Sequence, residues 1–300
     1  MATRPERLRV AAPAKINLFL HVTRRRPDGY HDLQSLVAFA DIGDMLVMER
    51  AIGFSLDIEG PFASGLAGDS DNLVLKAARA LDEYLGLNEG AHVTLVKNLP
   101  VASGIGGGSA DAAAALRGLI ELWHRPEARG HDVNAIAARL GSDVPVCLPS
   151  RAAWMEGRGE HVKLLPQLPD AHLVLVNPGV AVSTADVFRR LVIAENAAIL
   201  TPPDAFTTFA DLVGYLQTTR NDLEAPARTL APVIDTVINA LTHEGARFTR
   251  MSGSGATCFG FFESAERARD AAARIEKANP GWWSRAGQFA MAEAVWPQRF

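Results

Sequence analysis

The chain has 300 residues, 48% hydrophobic and 21% charged, too apolar for disorder and long enough for about two packed domains. Thirty basic residues against 34 acidic ones leave a net charge of −4, so no global field draws the chain to nucleic acid or an anionic membrane surface, and anionic ligands must be held locally. Cys147 and Cys258 are too few for a disulfide framework or a thiolate zinc site, and no stretch approaches the ~18 apolar residues of a membrane span, so a cytoplasmic location is expected.

From Leu8 onward, Ile16, Leu18, Leu20 and Val22 alternate with Asn17, Phe19 and His21, which predicts a strand. Its segment Pro13-Ala14-Lys15-Ile16-Asn17-Leu18 sets a lysine against a proline and an apolar run, either as an edge charge or as a placed cation. Pro27-Asp28-Gly29 then predicts a turn, with Tyr30 and His31 at its exit and Arg24, Arg25 and Arg26 reading as a charged face ahead of it. Further strands are expected at 34–39, 45–50 and 54–59, then a loop over 60–68. Asp71 is expected to cap a helix carrying Val74, Ala78, Leu81 and Leu85 and ended by Gly86.

Residues 92–98 alternate as a strand and lead into Pro100-Val101-Ala102-Ser103-Gly104-Ile105-Gly106-Gly107-Gly108-Ser109-Ala110. Gly104, Gly106, Gly107 and Gly108 can take positive φ and let a ligand approach the backbone. A helix is expected from near Ser109, with Ala112, Leu116, Leu119, Ile120 and Trp123 at its apolar spacing. Its unpaired amides and dipole then make a phosphate cradle that needs no lysine. The same glycines would also suit a turn that merely lets helix and strand pack closely. The spacing lacks the third glycine and the acidic residue of a dinucleotide fingerprint, and P-loop and protein-kinase sequences are absent.

Asp132 is expected to cap a helix over 134–140 that Gly141 stops. Pro145 should hold Val144 extended and leave Asp143 on a tight loop, as a turn residue or a functional carboxylate. Glu156-Gly157-Arg158-Gly159-Glu160 reads as a turn between short strands, and 167–170 as a domain boundary, which divides the chain into 1–167 and 168–300. Beyond it, a buried strand at 173–176 precedes a helix capped by Ser183 or Thr184 and carrying Val187, Phe188 and Leu191. A loop over 194–204 and helices at 206–217, 222–230 and 233–243 follow. Strands at 248–251 and 258–262 flank the glycine turn Ser252-Gly253-Ser254-Gly255-Ala256, and a helix at 265–277 and a strand near 288–295 close the chain. Strands then helices in each half predict an α+β architecture.

Three ordered stretches, Pro13 to Leu18, Pro100 to Ala110 and Ser252 to Thr257, resemble the three motifs of the GHMP small-molecule kinases. Asp28-Gly29-Tyr30-His31 and Gly141-Ser142-Asp143-Val144-Pro145 are most similar to the branch that phosphorylates the cytidine diphosphate derivative of methylerythritol on its 2-hydroxyl, in the non-mevalonate route to isoprenoid precursors. The resemblance implies an N-terminal domain like domain 2 of ribosomal protein S5, a ferredoxin-like C-terminal domain, and a site between them. It implies that Pro100, Ala102, Ser103, Gly104, Ile105, Gly106, Gly107, Gly108, Ser109 and Ala110 bind ATP. Lys15 and Asp143 would be the catalytic pair. Asn17, Tyr30, His31, Thr184 and Phe188 would meet the substrate, His31 bonding the cytosine. Partners would be small molecules, with a monomer or weak homodimer expected.

Ser103 stands where the family usually has glycine and Ala110 where a second serine is common, both small enough for the cradle. The glutamate that other branches use for Mg²⁺ has no identifiable counterpart. Mg²⁺ is therefore expected on Ser109, phosphate oxygens and water alone, or with Asp111 contributing, although Asp111 suits better the role of complementing the helix dipole. A homoserine or mevalonate kinase would share the cradle without the cytosine residues. An S5-like RNA-binding protein should be basic, which this chain is not.

Overall fold

The computed structural model describes residues 7–66, 71–128, 130–192, 201 and 204–300. The fold begins with two long antiparallel strands, β1 (Arg7–Arg25) and β2 (His31–Arg50), joined by the Pro27-Asp28-Gly29 turn. The expected strands at 34–39 and 45–50 are one continuous β2, because Asp41 to Asp44 stays extended against β1. Then come β3 (Phe54–Glu59), α1 (Leu73–Leu85), β4 (Ala91–Val96), α2 (Gly107–Leu122), α3 (His131–Leu140), α4 (Val144–Cys147), β5 (Ala153–Gly157) and β6 (His161–Leu164). The second half holds β7 (His172–Asn177), α5 (Thr184–Arg190), α6 (Phe209–Gln217), α7 (Glu224–Leu230), α8 (Val233–His243), β8 (Phe248–Met251), β9 (Cys258–Phe262), α9 (Ala265–Ala278), β10 (Trp283–Gln288) and β11 (Gln298–Arg299).

Two sheets organise these elements. A seven-stranded sheet runs β11-β1-β2-β4-β3, with β5 and β6 added where β2 extends past β4. The four-stranded antiparallel sheet runs β10-β7-β9-β8, the strand order of a ferredoxin-like unit. Helices α1 to α4 cover one face of the first sheet, forming a core that includes Val10, Leu46, Val74, Leu81 and Leu116. Ile16, Leu18, Leu36 and Ala38 on its other face pack against Leu173, Leu175, Phe259 and Phe261 of the second sheet. Val174, Val176, Cys258 and Phe262 point the opposite way, into a core with α7, α8 and α9, as the period of two in a strand requires. The result is four layers with both sheets inside. No helix among the described residues is long and apolar enough to cross a membrane.

Several expected boundaries move for identifiable reasons. Asn72, not Asp71, caps α1, its side chain accepting from the Val74 amide, while Asp71 pairs with Lys76. Gly86 ends that helix in the left-handed region as expected. Helix α2 starts at Gly107, two residues early, because Gly106 at φ 64° turns the chain into it. All four alanines from 112 to 115 are buried, so α2 is enclosed on every side rather than along one stripe. Helix α3 starts at His131, and Asp132 lies in its first turn rather than capping it. Ser183 caps α5. Helix α6 starts at Phe209 because Thr208 and Asp211 form a capping box. The strand expected near 288–295 is β10, ending at Gln288, and a 3-10 turn occupies Ala292–Val295. Most of the 194–204 loop lies outside the described residues.

Candidate active site

Register shifts in β1 between Pro13 and Lys15 and between Asn17 and Phe19 re-aim the side chains of the first motif. Lys15, 3% exposed, projects its ammonium to 2.9 Å from Asp143 Oδ2, and its amide donates to the Ile105 carbonyl at 2.9 Å. Asp143 is the N-cap residue of α4 but has αR backbone angles and makes no side-chain cap bond, which leaves its carboxylate to Lys15 and the cavity. Val144 is helical rather than extended, since Pro145 falls in the first turn of α4, where a missing N–H costs nothing. Asn17 Nδ2 donates to Ser35 Oγ, and the Asn17 amide donates to Ser252 Oγ.

The glycine loop departs from expectation in one detail: Ala102, Gly104 and Gly106 have positive φ, whereas Gly107 and Gly108 belong to the helix. The amides of Gly107, Gly108 and Ser109 therefore stand at the open N-terminus of α2, without acceptors inside the helix. Ile105 and Ala110 do not line the cavity. Both side chains are buried, Ile105 between the two sheets and Ala110 on α2 in the core between the first sheet and its helices. Ser103 turns its hydroxyl back onto the Pro100 carbonyl at 2.6 Å. The third motif braces the loop from the second sheet: Ser252 Oγ donates to the Gly104 carbonyl at 3.1 Å, and the Thr257 amide to the Ser103 carbonyl at 3.1 Å. A Cβ on Gly104 would lie 2.6 Å from the Gly255 carbonyl oxygen, so only glycine permits this contact.

One cavity of about 1440 Å³ takes in the loop, Lys15, Asn17, Asp143, Tyr30, His31, Thr184 and Phe188. That is ample for two ligands at once. The His31 and Phe188 rings stack with centroids 4.9 Å apart, and the Arg158 guanidinium lies 5.1 Å from the Tyr30 ring centre. Burial, with help from Arg25, lowers the His31 pKa and favours its neutral ring. Thr184 Oγ1 is 2.8 Å from Ser254 Oγ. Of the arginines read as a charged face, Arg24 and Arg26 pair with Asp32, but Arg25 lines the cavity.

Family models match at both halves: GHMP kinases N terminal domain over residues 72–151, and GHMP kinases C terminal over 204–281. The 4-diphosphocytidyl-2-C-methyl-D-erythritol kinase of Parvibaculum lavamentivorans is 55% identical, over 91% of this chain and 95% of its own. That of Paracoccus denitrificans is 51% identical, over 96% and 99%. The chain belongs to the 4-diphosphocytidyl-2-C-methyl-D-erythritol kinase family of GHMP kinases. A crystal structure of a 4-(cytidine 5'-diphospho)-2C-methyl-D-erythritol kinase superposes with a TM-score of 0.77 at 34% identity, covering 94% of this chain and 99% of that one. Homoserine kinase from Cytophaga hutchinsonii, at 17% identity and a TM-score of 0.68, shares the fold.

This kinase also places in its cavity residues that sequence reasoning passed over. Asn72 and Leu73 come from the start of α1, and Arg158 and Glu160 from the β5–β6 turn. Lys97, at the exit of β4, lies between Asp44 and Asp111. Asp111 lies beyond the first turn of α2, the turn where a carboxylate complements the dipole, and pairs with Lys97 in the interior instead. Burial, next to a second carboxylate, pushes its pKa upward, and Lys97 opposes the rise. Burial disfavours the Lys97 ammonium, but Asp111 and Asp44 outweigh it and hold the pKa above its ordinary value.

Proposed function

We propose that the chain transfers the γ-phosphoryl group of ATP to the 2-hydroxyl of 4-diphosphocytidyl-2-C-methyl-D-erythritol, giving the 2-phosphate and ADP. The observation that carries this reading is the 2.9 Å Lys15–Asp143 pair in the cavity that also holds the glycine-loop amides and the His31–Phe188 stack. An alcohol attacks phosphorus once its proton has an acceptor, and the Asp143 carboxylate is the acceptor here. Lys15 offsets charge on the emerging alkoxide and the moving phosphoryl. The amides of Gly107, Gly108 and Ser109 take up charge on the leaving ADP. Asn17, fixed by Ser35 and Ser252, orients the acceptor end of the substrate.

The base end is read by His31, Tyr30 and Phe188. A neutral His31 offers one donor and one acceptor nitrogen, and Phe188 offers an apolar face. Mg²⁺, when bound, would neutralise charge on the β- and γ-phosphates. Among the described residues no cluster of three His, Cys, Asp or Glu side chains could hold a metal, and Asp143 and Asp111 are each held by a lysine. Ser109, half-buried on the cavity wall, is the protein ligand that fits, with phosphate oxygens and water completing the shell, as Mg²⁺ accepts. On this reading residues 1–167 supply the donor site and the catalytic pair, and 168–300 supply Thr184, Phe188 and the brace at Ser252.

The test is ATP consumption with the cytidyl compound, homoserine and mevalonate side by side. Turnover confined to the cytidyl compound is expected. Equal efficiency on homoserine or mevalonate would overturn the substrate assignment while leaving the family intact.

A further inference from the structure

A single buried ionic bridge holds both ends of the glycine loop. Lys97 Nζ lies 2.5 Å from Asp44 Oδ2 and 2.6 Å from Asp111 Oδ2, and all three side chains are buried. The other Asp44 oxygen accepts from the amides of Asn98 at 2.6 Å and Leu99 at 2.8 Å, where the chain leaves β4 for the loop. Asp111 sits on α2 just past the loop's end, and a Cβ on Gly107 would meet Lys97 Nζ at 3.2 Å. Strand β2, the loop's entry and the start of α2 therefore meet at one ammonium. Burying one ammonium with two carboxylates is a poor source of stability, because desolvation cancels much of the attraction. What the bridge supplies, and apolar packing would not, is a directional link that fixes three backbone segments against one another.

We propose that Lys97 is a positioning residue for the donor nucleotide, setting through Asp44 and Asp111 where the amides of Gly107, Gly108 and Ser109 stand relative to Lys15 and Asp143. The inference rests on the donor-site reading above. Three variants test it: Lys97→Met, Lys97→Met with Asp111→Asn, and the isosteric Asp111→Asn alone. The double variant removes the second buried carboxylate and leaves Asp44 its two amide donors, so it folds even if Lys97→Met does not.

Metal-free ADP affinity, measured calorimetrically in EDTA, is expected to fall about ten-fold or more in each variant, as small displacements of positioned groups do. The KM for ATP should rise with it while the KM for the cytidyl substrate stays within about three-fold. A folded variant with wild-type ADP affinity overturns the proposal, as does an equal rise in both KM values, which would mark general loosening. If Asp111→Asn shifts only the Mg²⁺ dependence, with metal-free ADP affinity intact, Asp111 is a metal ligand and the positioning role falls. Failure of the wild-type protein to bind ADP would instead overturn the donor-site reading itself.

Discussion

At the scale of single residues, two groups make opposite demands on charge. Asp143 must accept a proton on the proposed mechanism, and its place beside Lys15 at the cavity wall leaves it within reach of a substrate. Asp143→Asn keeps the shape but cannot take a proton, so kcat should fall by on the order of 10² to 10⁴ with ADP affinity within a few-fold. Steady-state kinetics with calorimetry checks this, and a near-normal kcat in the folded variant refutes the assignment. His21 must instead stay neutral. Its Nε2 accepts from the Arg220 amide at 3.1 Å, and burial, with Arg220 second, lowers its pKa to about 4. Between about 6.5 and 4 the unfolded chain binds the proton more readily than the folded one, so this contribution is complete above pH 6.5 and lost as pH falls toward 4. At most about 3 kcal/mol is involved. Urea midpoints measured from pH 7 to 4.5 should fall less steeply in His21→Gln than in the wild type, and identical slopes would exclude His21 as a source.

At the scale of elements, the glycine loop shows what a sequence can and cannot disclose. Gly106 has φ 64°, and a Cβ there would lie 3.2 Å from Lys15 Cβ and 3.3 Å from Lys15 Cε. Gly106→Val should therefore abolish measurable ATP binding and displace Lys15 as well, at a smaller cost to folding. Calorimetry returning wild-type ATP affinity would place the cradle elsewhere. Strands β3, β8 and β9 and helix α8 are legible to the residue because their apolar periods begin and end at clear breaks. The start of α2 is not, since glycines carry no helical signal and only the φ of Gly106 sets the boundary. The first motif, the glycine loop and the Asp143 turn are visible as local patterns. The Lys97 bridge is not, because Asp44 is 53 residues away and a lysine at a strand's end reads as a solvated charge. Arg25 is hidden in the same way by two neighbours that do make surface ion pairs.

At the scale of the whole molecule, a second buried cation ties the two sheets together. Arg250 on β8 donates to the Leu18 carbonyl of β1 at 2.8 Å, to Leu216 O at 3.0 Å and to Thr219 O at 2.7 Å. Burial lowers its pKa to about 10, which still leaves it charged at neutral pH. Arg250→Met would strand three buried carbonyls, each costing about 1 to 3 kcal/mol when left unmet. A loss of at least ~3 kcal/mol is expected by urea denaturation, and a change under ~1 kcal/mol would show that the tie contributes little. ADP affinity should weaken too, because the same inter-sheet contact seats Ser252 on the glycine loop.

The reach of Ser252 back to Gly104 spans 148 residues, which gives the proposed nucleotide site a place in time as well as in space. On the ribosome, at about 5 to 20 residues per second, the loop emerges roughly 7 to 30 s before its brace is made. During that interval Lys15, the glycines and Asp143 have all been synthesised, yet the carbonyls of Ser103 and Gly104 lack the partners that fix the loop. On the donor-site reading, a nascent chain therefore meets ATP with an unfinished cradle, and nucleotide capture is a late event that waits for Ser252 and Thr257.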